Sequence, residues 1–272
     1  HGVDDLPAFE RLVRTTTQNC TPVSAEQVVA WLRRGAALPA HPVWFTFDDG
    51  LPSTFHAGEI LESFGVSATA FICPSTVERS QRLWFQTVFD AERLGIRTPD
   101  AVGHPSLAAL KRLPNSERLA YVARLEESLA AVGHPAPPPL GAGRLHNWTG
   151  QGHTIGNHTW SHPCLDTCTE AEQRYEIAHA HDKFREWGFE PTLFAYPNGN
   201  HTGFSEQVLK ELGYDAAVLF DHRLAERPTS RYRLSRLRID SDIDERRARS
   251  ILSGSHSAAF QFGARLRTTL GR

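Results

Sequence analysis

The chain has 272 residues, 40% apolar and 22% charged, with 29 basic against 31 acidic residues for a net charge of −2. That length supports a buried core, and we expect residues 1–272 to form one large domain. The charge balance lacks the basic excess of a polyanion binder, so nucleic acid is not an expected partner. No run of eighteen apolar residues exists, which excludes a transmembrane segment of that kind. Methionine is absent and the first residue is His1, so the natural start is expected upstream and cellular location stays open. Four cysteines are too few for a disulfide scaffold. Cys164 and Cys168, four apart, read as small, partly buried thiols.

In chain order, Ser24 and Gln27 form a capping box ahead of Val28, Val29, Trp31 and Leu32, with Gly35 as the stop. Residues 43–47 are a short apolar run that reads as a buried parallel strand. Ile60, Leu61 and Phe64 then precede Gly65 in a second helix, and residues 68–73 give a second strand. Residues 81–152 break the rhythm. They hold a predicted helix over 116–131, with Leu119, Val122, Leu125 and Leu129 along one side, and a proline run, His134 to Pro139, which fits neither helix nor inner strand. We read the stretch as an insertion over one end of a sheet.

Ile155-Gly156 reads as the end of another strand. Thr169 and Glu172 cap a helix through Ile177, Phe184 and Trp187, closed by Gly188. A strand over 192–196, a helix ending at Gly213, a strand over 216–220 and a half-buried strand over 234–239 complete the chain. This strand–helix alternation predicts an α/β fold with a parallel sheet, closed into a barrel or left open.

Three segments carry chemistry. In Thr46-Phe47-Asp48-Asp49-Gly50 a strand runs into two carboxylates at the end where α/β enzymes place their sites. Adjacent strand residues face opposite ways, and Gly50 permits a turn, so one carboxylate is available to a metal and the other to a proton. In His158-Thr159-Trp160-Ser161-His162 the two histidines are four apart, a spacing that puts them on one side of a helical turn, within reach of one ion. Two imidazoles and one carboxylate from different strand ends make a metal site with open positions. In Tyr196-Pro197-Asn198-Gly199 a turn after a strand offers a backbone N–H to a developing oxyanion.

Taken together, these motifs resemble the polysaccharide deacetylases of the NodB-homology type, carbohydrate esterase family four. TFDDG, then HTWSH about 110 residues later, then a strand ending YPNG, follows the order of that family's first three motifs. The resemblance runs from about Val43 to Ile239 and implies a distorted (β/α) barrel with fewer than eight regular strands. It implies Asp48 as catalytic base, Asp49, His158 and His162 as metal ligands, and the Asn198 N–H as oxyanion donor. It further implies a divalent metal, zinc first and nickel, cobalt or iron as alternatives, and an N-acetylated sugar or polysaccharide as substrate.

Two positions depart from the family pattern. Many members carry an arginine that orients the base where this chain has Ala195, and the family's late leucine–histidine motif is absent, since residues 234–239 hold no histidine. The branch resembling poly-N-acetylglucosamine deacetylases takes its general acid from a histidine near the N-terminus, in a strand reading Tyr-His-x-Val. His1-Gly2-Val3 matches the latter part of that pattern, which implies His1 as general acid, with His222 in reserve. His153 is expected to pack or to make a structural hydrogen bond. Trp160 and Tyr196 are available either to a sugar ring or to the core, core being the commoner role. Two rivals stay open: a deacylase for another amide or ester, and an inactive carbohydrate-binding relative.

Overall fold

The computed structural model describes Val3 and residues 5–97, 105–240 and 243–254. Helix α1 (Leu6–Asn19), which the sequence reading did not assign, starts where the Asp5 side chain accepts from the Ala8 amide. Strand β1 (Thr21–Pro22) leads to α2 (Ala25–Arg34), whose Ser24–Gln27 capping box and left-handed Gly35 are both present. The predicted strand at 43–47 divides into β2 (Pro42–Val43), which pairs with β1, and β3 (Phe45–Phe47), which belongs to the main sheet.

Helix α3 (Pro52–Ser63), β4 (Ala68–Ile72) and α4 (Pro74–Glu78) follow. Between α4 and the next strand come α5 (Trp84–Leu94), α6 (Leu107–Leu110), α7 (Asn115–Ala131) and α8 (Ala142–Gly150). In α7, Val122, Leu125 and Leu129 are buried as expected, whereas Leu119 faces solvent. Strand β5 (Thr154–Asn157), α9 (Glu170–Glu186), β6 (Leu193–Ala195), α10 (Gly203–Glu211), β7 (Ala216–Val218) and α11 (Glu245–Leu252) complete the described chain.

The main sheet has five parallel strands in the order β3-β4-β5-β6-β7. It is the parallel α/β sheet that the alternation implied, curled into the half-barrel that the family resemblance implied, and among the described residues no ladder joins β7 back to β3. The expected strand at 234–239 contributes one parallel bridge, Leu234 to Val218. Beyond it, side chains hold the backbone: Asp221 accepts from the Ser235 hydroxyl at 2.8 Å and from the Arg236 amide at 3.3 Å. Every residue of β4, β6 and β7 is buried, as parallel strands covered on both faces require. Gly156 of β5 faces Phe71 so closely that a Cβ there would stand 2.4 Å from the ring. The strands share a direction, so their C-terminal ends open at one rim, where β3, β5 and β6 release the three motifs.

Candidate active site

Asp48 and Asp49 follow β3. Asp49 and Gly50 both take left-handed backbone, at φ 74° and 73°, and Gly50 lies against Ile72, where a Cβ would stand 2.9 Å from its side chain. A positive φ is uncommon outside glycine. Four of the six such residues among those described, Asp49, Thr159, His162 and Asn198, lie in the three motifs, a concentration of backbone strain typical of functional sites.

Asp49 Oδ1 stands 3.5 Å from His158 Nε2 and 3.3 Å from His162 Nε2, and all three side chains are buried. The three form a group able to hold a metal ion. The spacing of the histidines does not come from a helical turn, as the sequence pattern suggested. Residues 158–164 form a loop after β5, with Thr159 at φ 66° and His162 at φ 63°. Side chains hold it in place of a helical ladder. Asn157 Oδ1 accepts from the Thr159 amide at 2.7 Å, and Thr159 Oγ1 accepts from the His162 amide at 3.0 Å. Glu176 of α9 accepts from the Ser161 amide at 2.8 Å and from its hydroxyl at 2.6 Å. From α5, Trp84 Nε1 donates to the His162 carbonyl at 2.9 Å.

The donor chemistry fits a cation. His158 Nδ1 lies 2.7 Å from the Ala195 carbonyl, which can only accept, so Nδ1 carries a proton and Nε2 is the nitrogen that faces Asp49. Burial holds His162 down at about 4, so it is neutral at physiological pH. Burial raises the Asp49 carboxyl, but His158 and His162 outweigh it and bring it to about 2. Two imidazole Nε2 atoms and a carboxylate oxygen thus converge in a buried pocket, a donor set suited to a divalent cation.

Asp48 is gripped by a residue that the sequence reading passed over. Arg236 donates through Nη1 to Oδ1 and through Nη2 to Oδ2, both at 2.8 Å. The guanidinium also binds Thr46 Oγ1 at 3.1 Å and the Leu219 carbonyl at 2.8 Å. Burial raises the Asp48 carboxyl, and Arg236 with His158 overrides it, leaving it at about 2. The signal was available: in an alternating segment Arg236 shares a face with buried Leu234, and an arginine on a buried face needs an anion.

Asn198, at φ 56°, lies in a one-turn 3₁₀ helix, Pro197–Gly199. Amides in a first helical turn have no intrahelical acceptor. Its side chain donates to Cys164 Sγ at 3.6 Å, which ties this turn to the segment just past His162. His1 lies outside the described residues. His222 sits in the turn after β7 at φ 57° with its ring 4.9 Å from Phe220. His153 is structural, as expected: Nδ1 accepts from the Ala68 amide and Nε2 lies 3.3 Å from the Gly58 carbonyl. Trp160 and Tyr196 are buried at 5% and 0% exposure, so both serve the core. All four cysteines are free thiols.

The model of the polysaccharide deacetylase family matches residues 35–217, a span that contains all three motifs and most of the chain. The chain therefore belongs to the polysaccharide deacetylase family, and it is an enzyme of that family with the Asp-His-His set of a metal site in place. No curated protein sequence matches it. Among solved structures, it is similar to the Streptococcus pyogenes deacetylase PplD in complex with acetate, at TM-score 0.64 and 16% identity over 91% of this chain and 86% of that one. It is also similar to IcaB from Ammonifex degensii, at TM-score 0.61 and 17% identity over 91% and 89%. A third is the BpsB deacetylase domain from Bordetella bronchiseptica, at 0.59 and 15% over 88% and 86%. At these identities the likeness establishes the fold.

Proposed function

We propose that the protein hydrolyses the N-acetyl group of an amino sugar within an oligo- or polysaccharide, with Asp48 as the base. The observation that carries this is the pairing of a buried, arginine-gripped carboxylate with the Asp49–His158–His162 cluster on the adjacent residue. Asp49, His158 and His162 would hold a divalent ion, zinc first because the donors are nitrogen and oxygen and no electron transfer is required, with nickel, cobalt or iron as substitutes. When bound, such an ion supplies Lewis-acid polarisation and acidifies water.

Asp48 accepts the proton of the attacking water. At about 2 it is a weak base, so it needs a partner water far more acidic than bulk, which suits its position next to a metal ligand. Arg236 fixes the plane of the carboxylate and leaves its outer lone pairs to receive the proton. The Asn198 N–H donates to the oxygen that gains charge as the carbonyl becomes tetrahedral. The departing amine takes its proton from His1 in this reading, and His222 is the second candidate. Products are acetate and the free amino sugar.

The test is acetate release from N-acetylated oligosaccharides, with O-acetylated and N-formylated analogues alongside, before and after chelation. Activity on the N-acetyl substrates that chelation abolishes and a divalent ion restores is the expected result. Asp48→Asn should retain bound metal and lose on the order of 10²–10⁴-fold in turnover. Near-full activity of that variant would falsify the base assignment, and release from esters alone would replace the amide substrate by an ester.

A further inference from the structure

Helix α5 of the insertion carries Phe85 and Phe89 at i and i+4, so both rings lie on one helix face. The Phe85 ring meets the ring of His162 edge-on at 4.9 Å, and Phe89 meets Phe85 edge-on at 6.1 Å. Phe89 is 50% exposed. A step of aromatic surface thus runs from a candidate metal ligand outward to solvent. A lone exposed phenylalanine needs no explanation. This one differs because it continues, ring to ring, from the reacting centre. The two aromatics in the motifs themselves, Trp160 and Tyr196, are buried and unavailable to substrate.

We propose that the Phe85–Phe89 step is a saccharide subsite, with Phe89 stacking on the apolar C–H face of a pyranose ring next to the one that loses its acetyl group. The assignment rests on the deacetylation reading above and deepens it: the substrate is an oligomer or polymer, and the unit at the metal is recognised together with its neighbour. A pyranose face is a row of C–H groups with polar hydroxyls at its edge. It therefore matches an exposed ring whose face is electron-rich and whose surroundings are wet. Trp84, beside Phe85, is anchored to the His162 carbonyl, so the step is held at a fixed distance from the metal ligand.

The experiment measures binding apart from turnover. Metal-loaded Asp48→Asn protein is titrated calorimetrically with the N-acetylglucosamine monomer, trimer and pentamer, with and without Phe89→Ala. The expected result is a loss of about 3- to 10-fold in affinity for trimer and pentamer on removing the ring. The monomer should change little, and Phe89→Trp should restore or exceed the original affinity. Metal content and melting temperature report folding. Equal affinity of the Phe89→Ala and parent proteins for the pentamer overturns the subsite, as does an equal loss for monomer and pentamer. Acetate release is scored separately on otherwise wild-type protein: saccharide binding without release would overturn the deacetylation reading and leave the platform standing.

Discussion

A guanidinium that takes both oxygens of Asp48 does two things at once. It offsets the cost of burying a carboxylate, and it sets the direction in which the remaining lone pairs point. Ala195, where the family resemblance leads one to expect an orienting arginine, is fully buried in β6, and the cation arrives instead from a segment 188 residues after the carboxylate. Arg236→Lys keeps the charge and loses the fork, so we expect an intermediate fall in turnover. Arg236→Ala should lower kcat on the order of 10²-fold through misplacement of Asp48, the proposed base, with metal content unchanged. The pH profile separates positioning from simple destabilisation. In the native protein Asp48 is ionised above about 2, so its ionisation does not limit activity near neutrality. Without Arg236 the raising effect of burial is no longer offset, and the acid limb of the kcat/KM profile must move to higher pH. A profile that scales down without shifting would contradict this role.

At the scale of elements, the loop after β5 shows how a metal site is built without a helix. Its left-handed residues are affordable because Asn157, Thr159, Glu176 and Trp84 satisfy its polar groups from four directions. Outer partners of this kind set metal affinity. Glu176→Gln, which replaces one acceptor oxygen by a donor, should therefore weaken metal binding by about 10- to 100-fold, measured by competition with a chromogenic chelator. Gly156→Ala tests the strand beneath the loop. Its Cβ would fall 2.4 Å from Phe71 and 3.1 Å from the Leu193 carbonyl, overpacking that costs about 1–3 kcal/mol and should appear as a lower melting temperature. The contrast also explains what was legible. Capping boxes at Ser24 and Thr169 and apolar runs at β4, β6 and β7 are local signals, and these elements stand where the sequence put them. The conformation of residues 158–164 depends on Glu176 and on Trp84, 78 residues before His162. No local period encodes such contacts, and HxxxH mimics a helical pair.

For the molecule as a whole, buried titratable groups and metal binding couple to stability. Burial lowers His153, His162 and His181, His162 to about 4. Each therefore binds fewer protons folded than unfolded below the ordinary histidine value of 6.5. Their contribution is present above 6.5 and is lost as pH falls through the folded values. Glu176 acts in the opposite sense. Burial raises it to about 7, so the folded state holds a proton that the unfolded state has released above 4.5, and its contribution grows on acidification from about 7 to 4.5. Asp48 and Asp49, both near 2, change protonation below this window. Three groups against one predicts that the chelated protein loses stability from pH 6.5 toward 4.5, and that Glu176→Gln, which removes the opposing group, loses it more steeply. Metal adds a separate gain, about 2.7 kcal/mol at one hundred times Kd, and closes the site from which His162 would take a proton. Calorimetric melting of loaded, chelated and Glu176→Gln protein across that window checks the signs together. A chelated wild-type protein whose melting temperature rises on acidification from 6.5 would show that Glu176 outweighs the buried histidines.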